Sequence, residues 1–176
     1  TGAGRSPESS VQGGNGDEVE ASEVRAAAAD SGTRFKAAIG AAKADRTTIG
    51  GVMQVVAFGA PVGLGSHVQW DRKLDARLAQ AMMSINAVKG VEIGTGFANA
   101  AKPGREVQDV IVPDPADPRR FRQESNHAGG IEGGMSNGNP IVAHVAIKPI
   151  ATMTRPLPSV DINTGEVIEA AYNRSD

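Results

Sequence analysis

No cysteine occurs among the 176 residues of the sequence. That excludes a disulfide framework, a thiolate metal site and a cysteine nucleophile, so any metal chemistry would rest on histidines and carboxylates alone. Aromatic residues are few: four Phe, one Trp and one Tyr. The core must then be built from Val, Ile, Leu, Met and Ala, and base-stacking platforms for nucleic acid are disfavoured. Neither charge is in excess, with 18 Lys and Arg against 20 Asp and Glu and a formal net charge of -2. A basic nucleic-acid grip and an acidic tail are both unsupported. No run approaches the roughly 18 apolar residues of a membrane helix, and the opening TGAGRSPESS has no basic stretch leading into an apolar one. The expectation is a cytoplasmic protein with no membrane or nucleic-acid partner.

What is present fits one globular domain, or part of one: 40% hydrophobic and 22% charged residues. Glycine is abundant at 22 residues and gathers in the second half. The chain opens without Met and stops at NRSD with no tail-like composition, which reads as a piece of a longer protein. Residues 1–16 combine Gly, Ser and Pro with few large apolar groups and read as a flexible lead-in to a domain over 17–176.

From Asp17 to Lys43 the Ala, Glu, Arg and Lys content predicts two helical stretches interrupted near Ser31-Gly32. The run from Ile49 to Phe58 is β-branched and apolar on both faces except at Gln54, the pattern of a central strand covered on both sides. Gly59–Gly65 follows as a punctuated loop. A helix is expected to open around Asp71, with Leu74, Leu78, Met82 and Ile85 along one stripe. Val91–Phe97 alternates like a short strand broken by glycines. Residues 98–121 carry Pro103, Pro113, Pro115 and Pro118 and read as a long loop. The glycine-rich segment Asn126–Gly138 leads into a strand over Ile141–Lys148, in which His144 and Lys148 share a face and Pro149 ends the ladder. A turn at Asn163–Gly165 precedes a strand-like Val167–Tyr172. Strands with interspersed helices and no regular βαβ period point to an α+β or layered β-α-β arrangement.

The glycine cluster has two readings, tight turns between sheet elements or a backbone that approaches a flat or anionic ligand closely. Its glycines precede a strand and no Gly-Lys-Ser/Thr follows, so it is neither a dinucleotide fingerprint nor a P-loop. Lys148 with Thr152 could contact an anion, or could simply be a solvated strand end. His67, His127 and His144 are too scattered for a metal site and read as structural polar residues.

The blocks GGVMQVVAFGAPVGLGS (50–66), DRKLDARLAQAMMSINAVKGVEIGTGF (71–97), NHAGGIEGGMSNG (126–138), IKPIATMTRPLPSVDINTGE (147–166) and NRSD (173–176) resemble chorismate synthase in order and spacing. The resemblance implies a lyase that makes chorismate from 5-enolpyruvylshikimate 3-phosphate by 1,4-elimination of phosphate, using reduced FMN without net redox change. It also implies a layered β-α-β sandwich of that family's type, incomplete here, and assembly as a homotetramer. NADPH could serve as an external reductant of the flavin. By motif, Asn86, Ala87, Gly133, Lys148, Pro149, Ile150, Ala151, Thr152 and Arg174 match flavin-contacting positions, and Asp176 matches the carboxylate that exchanges a proton at the flavin. With a flavin in view the glycine cluster favours function, since a planar ring with a phosphate tail calls for close backbone approach and cations.

The family's N-terminal Gly-Glu-Ser-His region, its arginine-rich substrate contacts, its second catalytic histidine and its Arg-Ser-Ser-Ala-Arg block have no counterpart among these residues. Thr95 stands where aspartate is common, and Gln108-Asp109-Val110 where His-Asp-Glu is common. The isolated chain is therefore expected to lack catalysis. The rival expectation is a noncatalytic truncated paralogue that binds a partner subunit or a nucleotide-like ligand.

Overall fold

The computed structural model describes residues 16–26 and 28–172. They divide into two compact units, one formed by the stretch up to Gly51 together with the stretch from Lys148, the other by Val52–Ile147.

In the first unit, Gly16–Ala21 forms helix α1 and Ala29–Ala44 helix α2. The break between helices thus falls earlier than Ser31-Gly32, both of which lie inside α2. The reason is local packing: Ser31 is buried, and a Cβ at Gly32 would rest against the Ala26 methyl at an ordinary 3.6 Å. The surrounding alanines absorb the glycine's helix cost of about 1 kcal/mol. Asp30 in the first turn and Lys43 in the last complement the helix dipole. Of the expected flexible lead-in, residues 1–15 lie outside the described residues, and Gly16 opens α1. Near the far end of the chain, β8 (Pro158–Val160) pairs antiparallel with β9 (Val167–Glu169). Asp161 closes the turn between them by accepting from the Asn163 and Thr164 amides at 2.7 and 3.1 Å. Those amides hold the Asp161 carboxyl below its ordinary range.

The second unit is built on a three-stranded sheet in the order β1 (Gly51–Ala57), β7 (Ile141–Ile147), β2 (Val88–Ile93). β2 and β7 run antiparallel, with Val91 opposite Val145 and Glu92 opposite His144, and the register slips between Val88 and Gly90. Val88, Ala143, Val145 and Ile131 supply the buried apolar core. Two expectations are corrected here. β1 is an edge strand rather than a central one, and it is exposed rather than covered, with Val52 at 53% and Val55 at 47%. Its apolar letters have no element packed over them among the described residues. The strand expected at Val91–Phe97 begins at Val88 and ends at Ile93, because Gly94 turns the chain and Phe97 lies in a short helix, α4 (Gly96–Asn99).

Helix α3 (Leu74–Met83) follows a single 3-10 turn at Trp70–Arg72. Leu74, Leu78 and Met82 are half-buried as the stripe predicts, while Ile85 lies beyond the helix end and is exposed. The presumed long loop of 98–121 contains the first half of a ribbon: β3 (Ile111–Pro113) pairs with β4 (Phe121–Gln123), Pro113 lying opposite Phe121. The glycine-rich segment likewise contains a hairpin, β5 (Ile131–Glu132) and β6 (Met135–Ser136).

Candidate functional site

The Asn126–Gly138 segment is fixed by backbone contact. Gly94 donates to the Val142 carbonyl at 2.8 Å, Thr95 to that of His127 at 3.0 Å, and Val142 to that of Gly129 at 3.1 Å. The two glycine backbones lie against one another, since a Cβ at Gly129 would fall 2.3 Å from the Gly94 nitrogen and one at Gly94 2.6 Å from the Gly129 nitrogen. Both have positive φ, +63° and +59°. Only glycine combines that conformation with that approach.

Asp109 holds the same segment from the other side. Its carboxylate accepts the Ser125 hydroxyl at 2.5 Å and the His127 and Ala128 amides at 2.7 and 2.9 Å. Partial burial works to raise the Asp109 carboxyl, but the Ser125 hydroxyl and the two amides outweigh it and leave it below its ordinary range. Arg119 adds a second clamp, donating to the Asn137 carbonyl at 2.9 Å while two of its nitrogens grip Asp117 at 3.0 and 2.9 Å. The Arg119 fork brings the Asp117 carboxyl down to about 2.

Gly133 differs from its neighbours. It and Gly134 form the two-residue turn between β5 and β6, with φ of +59° and +83°, the positive pair a type I′ turn requires. A Cβ at Gly134 would meet the Ser66 carbonyl at 2.7 Å, whereas one at Gly133 would meet nothing within 4 Å. The Cβ side of Gly133 therefore faces open space. Asn86 and Ala87 form the turn from α3 into β2, with Asn86 exposed and Ala87 at φ +68°.

On the sheet of the same unit, Gln54, His144 and Glu92 lie one on each strand. Gln54 Nε2 is 3.0 Å from His144 Nε2, and His144 Nδ1 is 3.5 Å from Glu92 Oε2. The buried Glu92 carboxylate also accepts the Phe97 amide at 2.7 Å. His144 thus acts as a packed polar residue within the sheet. The lysine expected to share its face, Lys148, lies past the strand's last residue and is exposed.

The other positions expected from the family motifs to contact a flavin belong to the first unit. Lys148, Pro149, Ile150 and Ala151 are exposed, and Thr152 is half-buried. Ile150 and Thr152 line a groove of about 620 Å³ together with Lys43, Arg46, Thr47 and Thr48 from the end of α2. The segments are tied by hydrogen bonds from Thr48 Oγ1 to the Ile150 carbonyl at 2.5 Å and from the Arg155 amide to the Arg46 carbonyl at 3.3 Å. The sequence-predicted positions therefore fall into three sets: Asn86, Ala87 and Gly133 in one unit, Lys148–Thr152 in the other, and Arg174 and Asp176 outside the described residues. Asp109, Lys43 and Arg46 were not legible as site-forming groups. The partners of Asp109 lie 16 to 19 residues away, and Lys43 and Arg46 read simply as a helix end.

No group of three or more His, Asp or Glu placed to hold a metal occurs among the described residues, and no described helix is long and apolar enough to cross a membrane.

These features define a mixed α/β protein of small sheets, whose glycine turns are partly sealed by protein and partly open. The chain belongs to the chorismate synthase family, whose family model matches residues 8–176. It is 55% identical over 143 residues to chorismate synthase of Thermoanaerobacter pseudethanolicus, covering 81% of this chain and 40% of that protein. It is 54% identical over 161 residues to chorismate synthase of Geobacter sulfurreducens, covering 89% of this chain and 41% of the relative. A crystal structure of chorismate synthase superposes with a TM-score of 0.71 at 47% identity, over 76% of this chain and 39% of that one. The chain thus spans about 40% of the length of these curated relatives.

Proposed function

We propose that this chain is the portion of a chorismate synthase that carries much of its flavin-contacting surface. The reaction is conversion of 5-enolpyruvylshikimate 3-phosphate to chorismate and phosphate, in the shikimate pathway to the aromatic amino acids. The observation that carries this reading is the family match over residues 8–176. Within the first unit the lining fits the phosphate end of a flavin: the groove beside Ile150 and Thr152 is lined by two cations, Lys43 and Arg46, and by no carboxylate among the described residues. By motif, Asn86, Ala87 and Gly133 in one unit and Lys148–Thr152 in the other each match flavin-contacting positions of the family, with Arg174 as a further cation. When bound, reduced FMN supplies electron density to a substrate that is losing phosphate. Asp176 would exchange a proton at the flavin as that charge shifts. The layered sandwich, the homotetramer, the cytoplasmic location and NADPH as external reductant belong to the same proposal and to the complete enzyme.

Anaerobic titration of reduced FMN into the 176-residue chain, with and without 5-enolpyruvylshikimate 3-phosphate, tests the reading by following flavin absorbance and chorismate together. Binding without turnover is expected. Turnover would show that the family's N-terminal histidine and arginine blocks are dispensable. No flavin binding would sink the reading and favour the noncatalytic module.

A further inference from the structure

The groove at the end of α2 contains two groups that the family resemblance does not single out. α2 ends in a Schellman turn: the Thr47 amide donates to the Ala42 carbonyl at 3.0 Å and the Arg46 amide to that of Lys43 at 3.2 Å. The residue in the left-handed position of such a turn is ordinarily glycine, yet here it is Arg46, with φ +57°. Arg46 thus keeps a long cationic side chain beside the groove in a backbone conformation that glycine would adopt more easily.

The threonine hydroxyls beside it are already committed. Thr47 gives its hydroxyl proton to Met153 Sδ, Thr48 to the Ile150 carbonyl and Thr154 to the Arg46 carbonyl. A hydroxyl has one proton, so these three threonines offer a ligand no donor. The Lys43 ammonium and the Arg46 guanidinium supply the attraction. Among the described residues neither takes part in an ion pair, and no carboxylate lines the groove. Two cations match a phosphate monoester, which carries about -1.5 to -2 charges at neutral pH, better than a single carboxylate. Ile39, Ile49 and Ile150 give the groove an apolar wall for the body of such a ligand.

We propose that Lys43 and Arg46 form a phosphate-monoester subsite at the end of α2, its favoured occupant being the phosphate tail of FMN. The choice of occupant rests on the flavin reading above; the anion site itself does not. The other source of the same chemistry is the phosphate of 5-enolpyruvylshikimate 3-phosphate.

The test is anaerobic calorimetry on the full 176-residue chain and on Lys43→Gln and Arg46→Gly, with reduced FMN, reduced riboflavin and 5-enolpyruvylshikimate 3-phosphate as separate ligands. Arg46→Gly places glycine where φ is already positive, so the turn survives, and circular dichroism confirms the fold of both variants. Each variant is expected to weaken FMN about tenfold, the loss of one charge-assisted contact, and to leave riboflavin unchanged. The same loss on the shikimate ester instead of FMN would keep the anion site and reassign its occupant. Parent-like affinity of both variants for both phosphate ligands would overturn the proposal. If neither flavin binds the parent chain, the flavin reading fails separately and the shikimate-ester titration decides: variant-sensitive binding upholds the subsite, while absent or variant-insensitive binding overturns it.

Discussion

β1 and β7 are both seven-residue strands of one sheet, and their sequences, GVMQVVA and IVAHVAI, are alike in composition. Their surroundings are opposite. β7 lies between two strands and buries Ala143 and Val145 to 1% and 2% exposure, while β1, at the edge, leaves Val52, Met53 and Val55 about half exposed. An apolar run therefore records a strand's tendency to be covered, and its neighbours decide whether it is. The closed side, from β2 and β7 to the Asn126–Gly130 segment, holds its shape by backbone contact. The β1 side is apolar surface with nothing over it among the described residues.

The largest expected effect falls on the closed side. Gly129→Ala puts a methyl 2.3 Å from the Gly94 nitrogen at a positive φ, and should cost more than about 3 kcal/mol in urea unfolding or prevent folding. A cost under 1 kcal/mol would mean that the contact yields easily. Next, Val145→Ala should lose about 2 kcal/mol and Val55→Ala less than about 0.5 kcal/mol. Equal losses would break the contrast between the strands. Asp109→Asn should cost about 1 kcal/mol and remove part of the acid sensitivity. Because the folded Asp109 carboxyl sits below its unfolded value of about 3.9, its contribution is complete above that value and is lost as pH falls through the folded one. Parallel stability-versus-pH curves for parent and variant below pH 4 would refute this. The smallest change is favourable: Arg46→Gly should relieve a positive φ and add about 0.5–1 kcal/mol, as read from the urea midpoint.

Elements with a strong local pattern were legible in the sequence. The α3 stripe of Leu74, Leu78 and Met82, the β7 strand ended by Pro149, and the turn at Asn163–Gly165 each follow from spacing or backbone chemistry within a few residues. What escaped depends on partners distant in sequence. The exposure of β1 is decided by which strand lies beside it, and the ribbon of β3 and β4 joins residues separated by a proline-rich loop. Within the glycine cluster, letters alone could not separate Gly129, closed by Gly94, from Gly133, open to space. Asp109, the one residue of Gln108-Asp109-Val110 that agrees with His-Asp-Glu, carries no local mark of its role, yet it anchors the segment through three hydrogen bonds. The motif comparison reached Ile150 and Thr152 but not Lys43 and Arg46, which join them only once the chain has folded.

The contact between Gly94 and Gly129 has a consequence for how such a sequence can drift over generations. Most packing errors can be compensated, a larger residue on one side being met by a smaller one opposite. Here both partners are already the smallest residue, and the obstacle is main chain on each side: the Gly94 nitrogen for Gly129, and the His127 carbonyl with the Gly129 nitrogen for Gly94. No second-site change at either position can make room for the first. The two glycines form a pair that inheritance can only keep together or lose together with the loop they close.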